Sequence, residues 1–163
     1  MNAFDNQVFF FANIISNILA VVVLIAAWKW KDVARVVFFL IFGMACWINW
    51  QTAIRTPEAY QTFAQVAVIP WYQEFIQGWF REHTQLLIGF IATSQGLIAL
   101  ALLYRGWVYK TAILGGTLFL LAVTPLGFGS AFPCTLILAI ALLLLWRRDT
   151  SLLPGTPPLL RHG

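Results

Sequence analysis

Charge is scarce in this chain. Only 10% of its 163 residues are Asp, Glu, Lys or Arg, against roughly 25% in an ordinary soluble domain. With 61% hydrophobic residues, the composition excludes a soluble globular domain and defines an integral membrane protein with room for one domain. Histidine is nearly absent as well. His83 falls at a helix end and His162 in the carboxyl-terminal tail, so neither can serve as one of a facing pair of axial haem ligands. The two cysteines, Cys46 and Cys134, have no metal-ligand spacing and supply one candidate pair at most, which argues against a disulfide framework. They read as free, buried small hydrophobes, a pair between them being the alternative. No acid or base lies deep in an apolar run, which argues against a proton relay, a voltage sensor or a carrier built on intramembrane charge. The net charge of +4 resides in short basic clusters beside apolar runs, a pattern of membrane orientation and not of nucleic-acid binding.

What the chain does have is long apolar runs. The spacing predicts five spans, at about 8–28, 36–54, 86–103, 107–124 and 132–146, the first of them, with 21 residues, close to the ~20 that cross a bilayer. The first has neither a basic start nor a small-residue cleavage site and is expected to be retained. Asn13, Ser16 and Asn17 share one face of it, where they suit contacts across helices. Gly89, Thr93 and Gly96 form a small-residue stripe that lets a neighbour of the third span approach closely. The last two spans are joined by Pro125–Pro133, whose prolines and glycines cannot continue a helix. Residues 147–163 carry three prolines and read as a disordered tail.

One stretch, Thr56–Gln85, interrupts this pattern. Thr56-Pro57-Glu58 is a helix start, with a hydroxyl cap, proline where its missing N–H costs nothing, and an acid in the first turn. Tyr60, Phe63, Ala67 and Val68 recur at helical spacing, Pro70 breaks the helix, and Trp71, Phe75 and Trp79 begin a second stripe. Two short amphipathic helices over 57–81 result, too short to span, and they are expected to lie in the membrane interface.

Basic residues give the orientation. Lys29, Lys31, Arg35, Arg105, Lys110, Arg147, Arg148 and Arg161 lie on one side of the five spans, and only Arg55 and Arg81 lie on the other. The positive-inside rule makes the first side cytoplasmic, with the amino terminus outside and the carboxyl terminus inside. Trp28, Trp30, Trp107 and Trp146 mark the inner interface; Trp47, Trp50, Trp71 and Trp79 mark the outer one.

Candidate ligand-binding residues follow from this layout. Trp71, Tyr72, Trp79, Arg81 and His83 fall on or beside the outer amphipathic segment, where a shallow aromatic pocket would suit a quinone head group or a bound lipid. Gln95 is the deepest polar side chain of the third span and reads either as a quinone partner or as a tie between helices. Nothing fixes a catalytic geometry or a metal site, and the chain is expected to be non-catalytic on its own.

The run from Arg35 onward (RVVFFLIFGMACWINWQTAIRTPEAY, then IPWYQEFIQGWFREH, then GFIATSQGLIALALLYRGWVYKTAILGGTLFLL) resembles the DoxX-like family of small bacterial membrane proteins. Gly89, Gly96, Arg105, Gly115 and Gly116 match its glycine placement and basic turn. The acid that members often carry early in the span before that turn is absent, Gln95 being the nearest polar counterpart. The resemblance covers the last four spans and leaves Met1–Trp28 as an added helix. Members resemble the small membrane subunit of a thiosulfate:quinone oxidoreductase. The resemblance thus implies a bacterial inner-membrane bundle that supports partner subunits or quinone chemistry, and it supplies no catalytic residue. The expectation is an all-α membrane bundle of five spans, acting as an accessory or anchoring subunit that contacts lipid and other membrane subunits. The alternatives are a quinone-binding redox subunit and a small carrier gated by the Pro125–Pro133 loop.

Overall fold

A computed structural model describes residues 3–65, 67–126 and 132–147, with side chains from Phe10 onward. The central glycines of the Pro125–Pro133 loop and the tail expected to be disordered lie outside the described residues. The chain is an all-α membrane bundle. Helix α1 covers Ala3–Lys29 and α2 covers Lys31–Arg55. A 3₁₀ helix, Pro57–Gln65, and the eight-residue α3, Pro70–Gln77, follow. The remaining helices are α4 at Trp79–Ala101, α5 at Gly106–Val123 and α6 at Cys134–Leu144, the last extended by a 3₁₀ turn, Leu145–Arg147. Four of them, α1, α2, α4 and α5, are long and apolar enough to cross a membrane. Helix α6 has 11 residues and would rise only about 17 Å; it is held between α1 and α5.

The helices pack in a ring, in the order α1, α2, α4, α5, α6 and back to α1. Phe38 and Phe42 of α2 point to its centre, where Phe42 meets Phe119 of α5 edge-on at 6.3 Å. Small residues set how closely the helices approach. The predicted stripe on α4 receives α2 side chains: a Cβ on Gly96 would lie 3.0 Å from the Cys46 sulfur, and one on Gly89 would lie 3.2 Å from the Trp50 ring. A Cβ on Gly116 of α5 would come within 2.8 Å of Leu142 and 3.0 Å of Phe42. Both cysteines are free. Asn17 of α1 donates to the Asn13 carbonyl and side-chain oxygens, and Asn13 reaches the Phe132 carbonyl at 3.5 Å. Part of the predicted polar face of α1 therefore meets the entry to α6.

Arg35 is the departure from expectation. The sequence pattern leaves it just outside the span predicted at 36–54, in a tight basic connection with Lys29 and Lys31, yet it belongs to α2 and is fully buried. The reason is the end of α4. A helix leaves its last carbonyls without intrahelical donors, and the guanidinium supplies several at once. Arg35 Nε and Nη2 donate to the Leu102 carbonyl at 3.2 and 2.7 Å, and Nη2 also donates to the Tyr104 carbonyl at 2.7 Å. Its Cζ lies 4.3 Å from the centre of the Tyr109 ring, and the Tyr109 hydroxyl donates to the Leu145 carbonyl at 2.9 Å. Arg35 and Tyr109 together thus link α2, the end of α4, the start of α5 and the end of α6. The α4–α5 turn closes at Gly106, whose φ of +66° is a conformation glycine adopts without a Cβ penalty.

Arg35→Ala strips donors from the buried Leu102 carbonyl and the half-buried Tyr104 carbonyl and opens a cavity over Tyr109, and is expected to cost about 3 kcal/mol or more. Arg35→Lys should recover little of this, because an ammonium lacks the planar fork that serves two carbonyls while stacking on a ring. Thermal unfolding in mild detergent checks both; a Lys variant as stable as the wild type would show that only charge matters at this position.

Candidate functional site

The amphipathic segment closes one end of the bundle. Its inner face forms a second small core, in which Tyr60 and Ala64 of the 3₁₀ helix, Ile76 of α3 and Phe80 of α4 pack with Ala53 and Ile88. Pro70 begins α3 at a first-turn position, where its absent N–H has no partner to lose. The segment is also pinned to the end of α5: Val68 N–H donates to the Pro125 carbonyl at 3.0 Å, and the Tyr72 hydroxyl donates to the Ala122 carbonyl at 2.7 Å. At Gly78 the chain turns from α3 into α4. A Cβ there would sit 3.0 Å from the Glu74 carbonyl oxygen, so a larger residue would press on the corner.

The outer face carries a ladder of rings at steps of four residues. Trp71 stacks on Phe75 at 5.8 Å, Phe75 on Trp79 at 5.9 Å, and Trp79 on His83 at 4.4 Å with 12° between planes. Trp71 and Trp79 are 64% and 52% exposed, so the ladder presents ring surface outward. His83 stands at a bend in α4, with φ −118° and ψ 16°. Side chains serve the carbonyls before the bend: His83 Nδ1 contacts the Trp79 carbonyl at 2.9 Å, and the Thr84 hydroxyl donates to Phe80 at 2.7 Å. A carbonyl can only accept, so Nδ1 carries the proton. In the neutral ring Nε2 is then the acceptor.

Arg81 lies on another face of α4. With Thr84 it forms one wall of a cleft of about 470 Å³, lined further by Pro57, Glu58 and Gln61 of the 3₁₀ helix and by Gln77 of α3. Gln61 Nε2 donates to the Thr84 hydroxyl at 3.1 Å across its floor.

Gln95 is inside the bundle, 2% exposed. Asn49 Nδ2 donates to Gln95 Oε1 at 2.8 Å, and the Tyr60 hydroxyl donates to Asn49 Oδ1 at 2.8 Å. This chain of bonds ties α4, α2 and the 3₁₀ helix together, as a tie between helices would. Of the six candidate residues, then, Trp71, Trp79 and His83 form one ladder, Tyr72 anchors α3 to α5, Arg81 lines the cleft, and Gln95 belongs to the buried tie. Sequence reasoning missed Asn49 as the partner of Gln95, Tyr60 as the partner of Asn49, and Glu58 as the charge across the cleft from Arg81. Helical spacing gave no signal for these, since the partners lie 46, 11 and 23 positions apart.

Among the described residues no group of three or more His, Cys, Asp or Glu side chains could hold a metal ion. The fold defines a multi-pass helical membrane protein. No known family model, characterised protein or solved structure matches the chain.

Burial pushes the Tyr60 phenol above its ordinary 10.0, while a hydrogen bond from Thr52 pulls the other way. The folded protein therefore holds this proton more tightly than the unfolded chain. The contribution is constant below about pH 10 and is lost as pH rises through the folded value. Tyr60→Phe should cost about 1 kcal/mol at pH 7, for the bond to Asn49, and should flatten the fall of the thermal midpoint above about pH 10. An alkaline fall of unchanged steepness in the variant would assign it to another group.

Proposed function

We propose that this chain is a non-catalytic accessory or anchoring subunit of a larger membrane assembly in a bacterial inner membrane. The observation that carries this reading is how the bundle uses its polar side chains. Arg35, Asn49, Gln95, Tyr60 and Tyr109 serve ties between elements, and the polar cleft opens at the end of the bundle. Outward the helices offer apolar surface, as on α1 with Phe10, Phe11, Ile15, Ile18, Leu19 and Val22, all more than half exposed. Such a surface suits lipid and the flanks of other membrane helices. The resemblance to the DoxX-like family supports the same reading.

A second reading has its own observation. The ladder from Trp71 to His83 offers stacked ring faces ending in an imidazole whose Nε2 can accept a hydrogen bond. A flat quinone head group would stack there, its hydroxyl form donating to His83.

Purification from the native membrane in mild detergent, with mass spectrometry of what travels with the protein, separates the two. A stoichiometric membrane-protein partner is the expected result; a lone monomer carrying quinone would move the assignment to the ladder. A lone monomer with neither would remove both.

We place the amphipathic segment at the outer surface and both Lys29 and the carboxyl terminus in the cytoplasm. The end that holds Arg35 and Arg105 also brings Lys110 to within 5.8 Å of the Trp107 ring and 5.7 Å of the Trp146 ring, an aromatic belt beside basic residues. A fluorescent protein that matures only in the cytoplasm, fused after Gly163, should be bright. A dark fusion with an active periplasmic phosphatase at the same position would reverse the orientation.

A further inference from the structure

The cleft beside Arg81 has a property that neither reading uses: its two walls carry opposite charges that do not meet. Glu58 projects from the 3₁₀ helix and Arg81 from α4, both exposed. Arg81 likewise forms no ion pair with Glu74 or Glu82, the acids nearest to it in sequence, among the described residues. The spacing between the walls is held from below. Gln61 on one wall donates to buried Thr84 on the other, and Thr84 is in turn bonded to the Phe80 carbonyl. The two elements are thus joined beneath the cleft, and Glu58 and Arg81 form no ion pair across it.

We propose that this cleft binds the headgroup of a phosphatidylethanolamine-type membrane lipid, with its phosphate against Arg81 and its ammonium against Glu58. An anion alone would gain Arg81 but face the Glu58 carboxylate, and a cation alone would meet the reverse. A ligand with both signs satisfies both walls. A primary ammonium can also donate to the Glu58 carboxylate and to the side-chain oxygens of Gln61 and Gln77, whereas a trimethylammonium has no N–H to give. The volume of about 470 Å³ falls within the range of small-ligand sites.

A lipid, and not a free zwitterion, is favoured by what surrounds the cleft. Past Arg81, α4 is long and apolar enough to cross a membrane, which puts the cleft at the end of a span, at the level of lipid headgroups. The ring ladder on the opposite face of the segment suits the same interfacial level. The proposal rests on the membrane placement of the bundle and is independent of whether the chain has a protein partner.

The test uses the full-length protein in detergent micelles equilibrated with equal amounts of phosphatidylethanolamine, phosphatidylcholine and phosphatidylglycerol, with bound lipid counted by native mass spectrometry. Retention of phosphatidylethanolamine should exceed each of the others by about tenfold, roughly one charge-assisted contact's worth of affinity. Glu58→Gln and Arg81→Gln should each bring it down to the level of the others, while Glu82→Gln, outside the cleft, should leave it unchanged. Thermal midpoints identify any variant that has lost its fold. The exchanged pair Glu58→Arg with Arg81→Glu, which preserves both charges, then carries the test and should keep the preference. Equal retention of the three lipids by the wild type, or a preference untouched by the Gln variants, overturns the proposal. So does soluble glycerophosphoethanolamine binding as tightly as the lipid, which would make this a site for a free zwitterion.

Discussion

A buried arginine holding the end of a helix is the constraint on which the bundle depends. Placing a guanidinium in an apolar interior is unfavourable unless its donors find acceptors. Here the acceptors are groups with the complementary deficiency, the carbonyls that α4 cannot satisfy itself. Arg35 meets Leu102 and Tyr104 with three hydrogen bonds and stacks on Tyr109, which meets Leu145. Each component would be unfavourable alone, and together they set the mutual position of four helices at one end of the ring.

The middle and the other end are set by different means. Between α2 and α4, and again where α5 faces Phe42 and Leu142, glycines remove the side chain that would keep the helices apart. In lipid, where tails are as apolar as leucine, close packing of this kind is a main source of helix association. Toward the amphipathic end, the hydrogen-bonded series Gln95, Asn49 and Tyr60 joins two long helices to the 3₁₀ helix above them. The amphipathic segment is consequently built on the bundle, with a small core beneath it and bonds to the end of α5.

That anchoring explains why its outer features are well formed. The ladder from Trp71 to His83 continues through the corner at Gly78, because α3 and the start of α4 share one stripe at steps of four. The bend at His83 lets α4 leave the segment, and side-chain donors from His83 and Thr84 serve the carbonyls beside it. Aromatic surface and the polar cleft with Glu58 and Arg81 thus occupy separate faces of one platform.

Much of this was legible in the chain itself. Scarce charge and long apolar runs determined a helical membrane protein, because a continuous apolar run near 20 residues satisfies its own backbone as a spanning helix, whereas a barrel strand is about half as long and alternates apolar with polar residues. The amphipathic interruption, its break at Pro70, the small-residue stripe of α4 and the aromatic periodicity of Trp71, Phe75 and Trp79 are local properties, and local properties can be read from spacing. The fate of Arg35 could not. Lys29, Lys31 and Asp32 around it resemble a solvated turn, and only the arrival of the α4 terminus, 67 positions later in the chain, makes burial favourable. Tertiary structure likewise decided that Gln95 meets Asn49, and that Glu58 stands across a cleft from Arg81. Polar partners in a bundle are chosen by which helix faces meet, and a single sequence encodes that choice only through the packing of every helix at once.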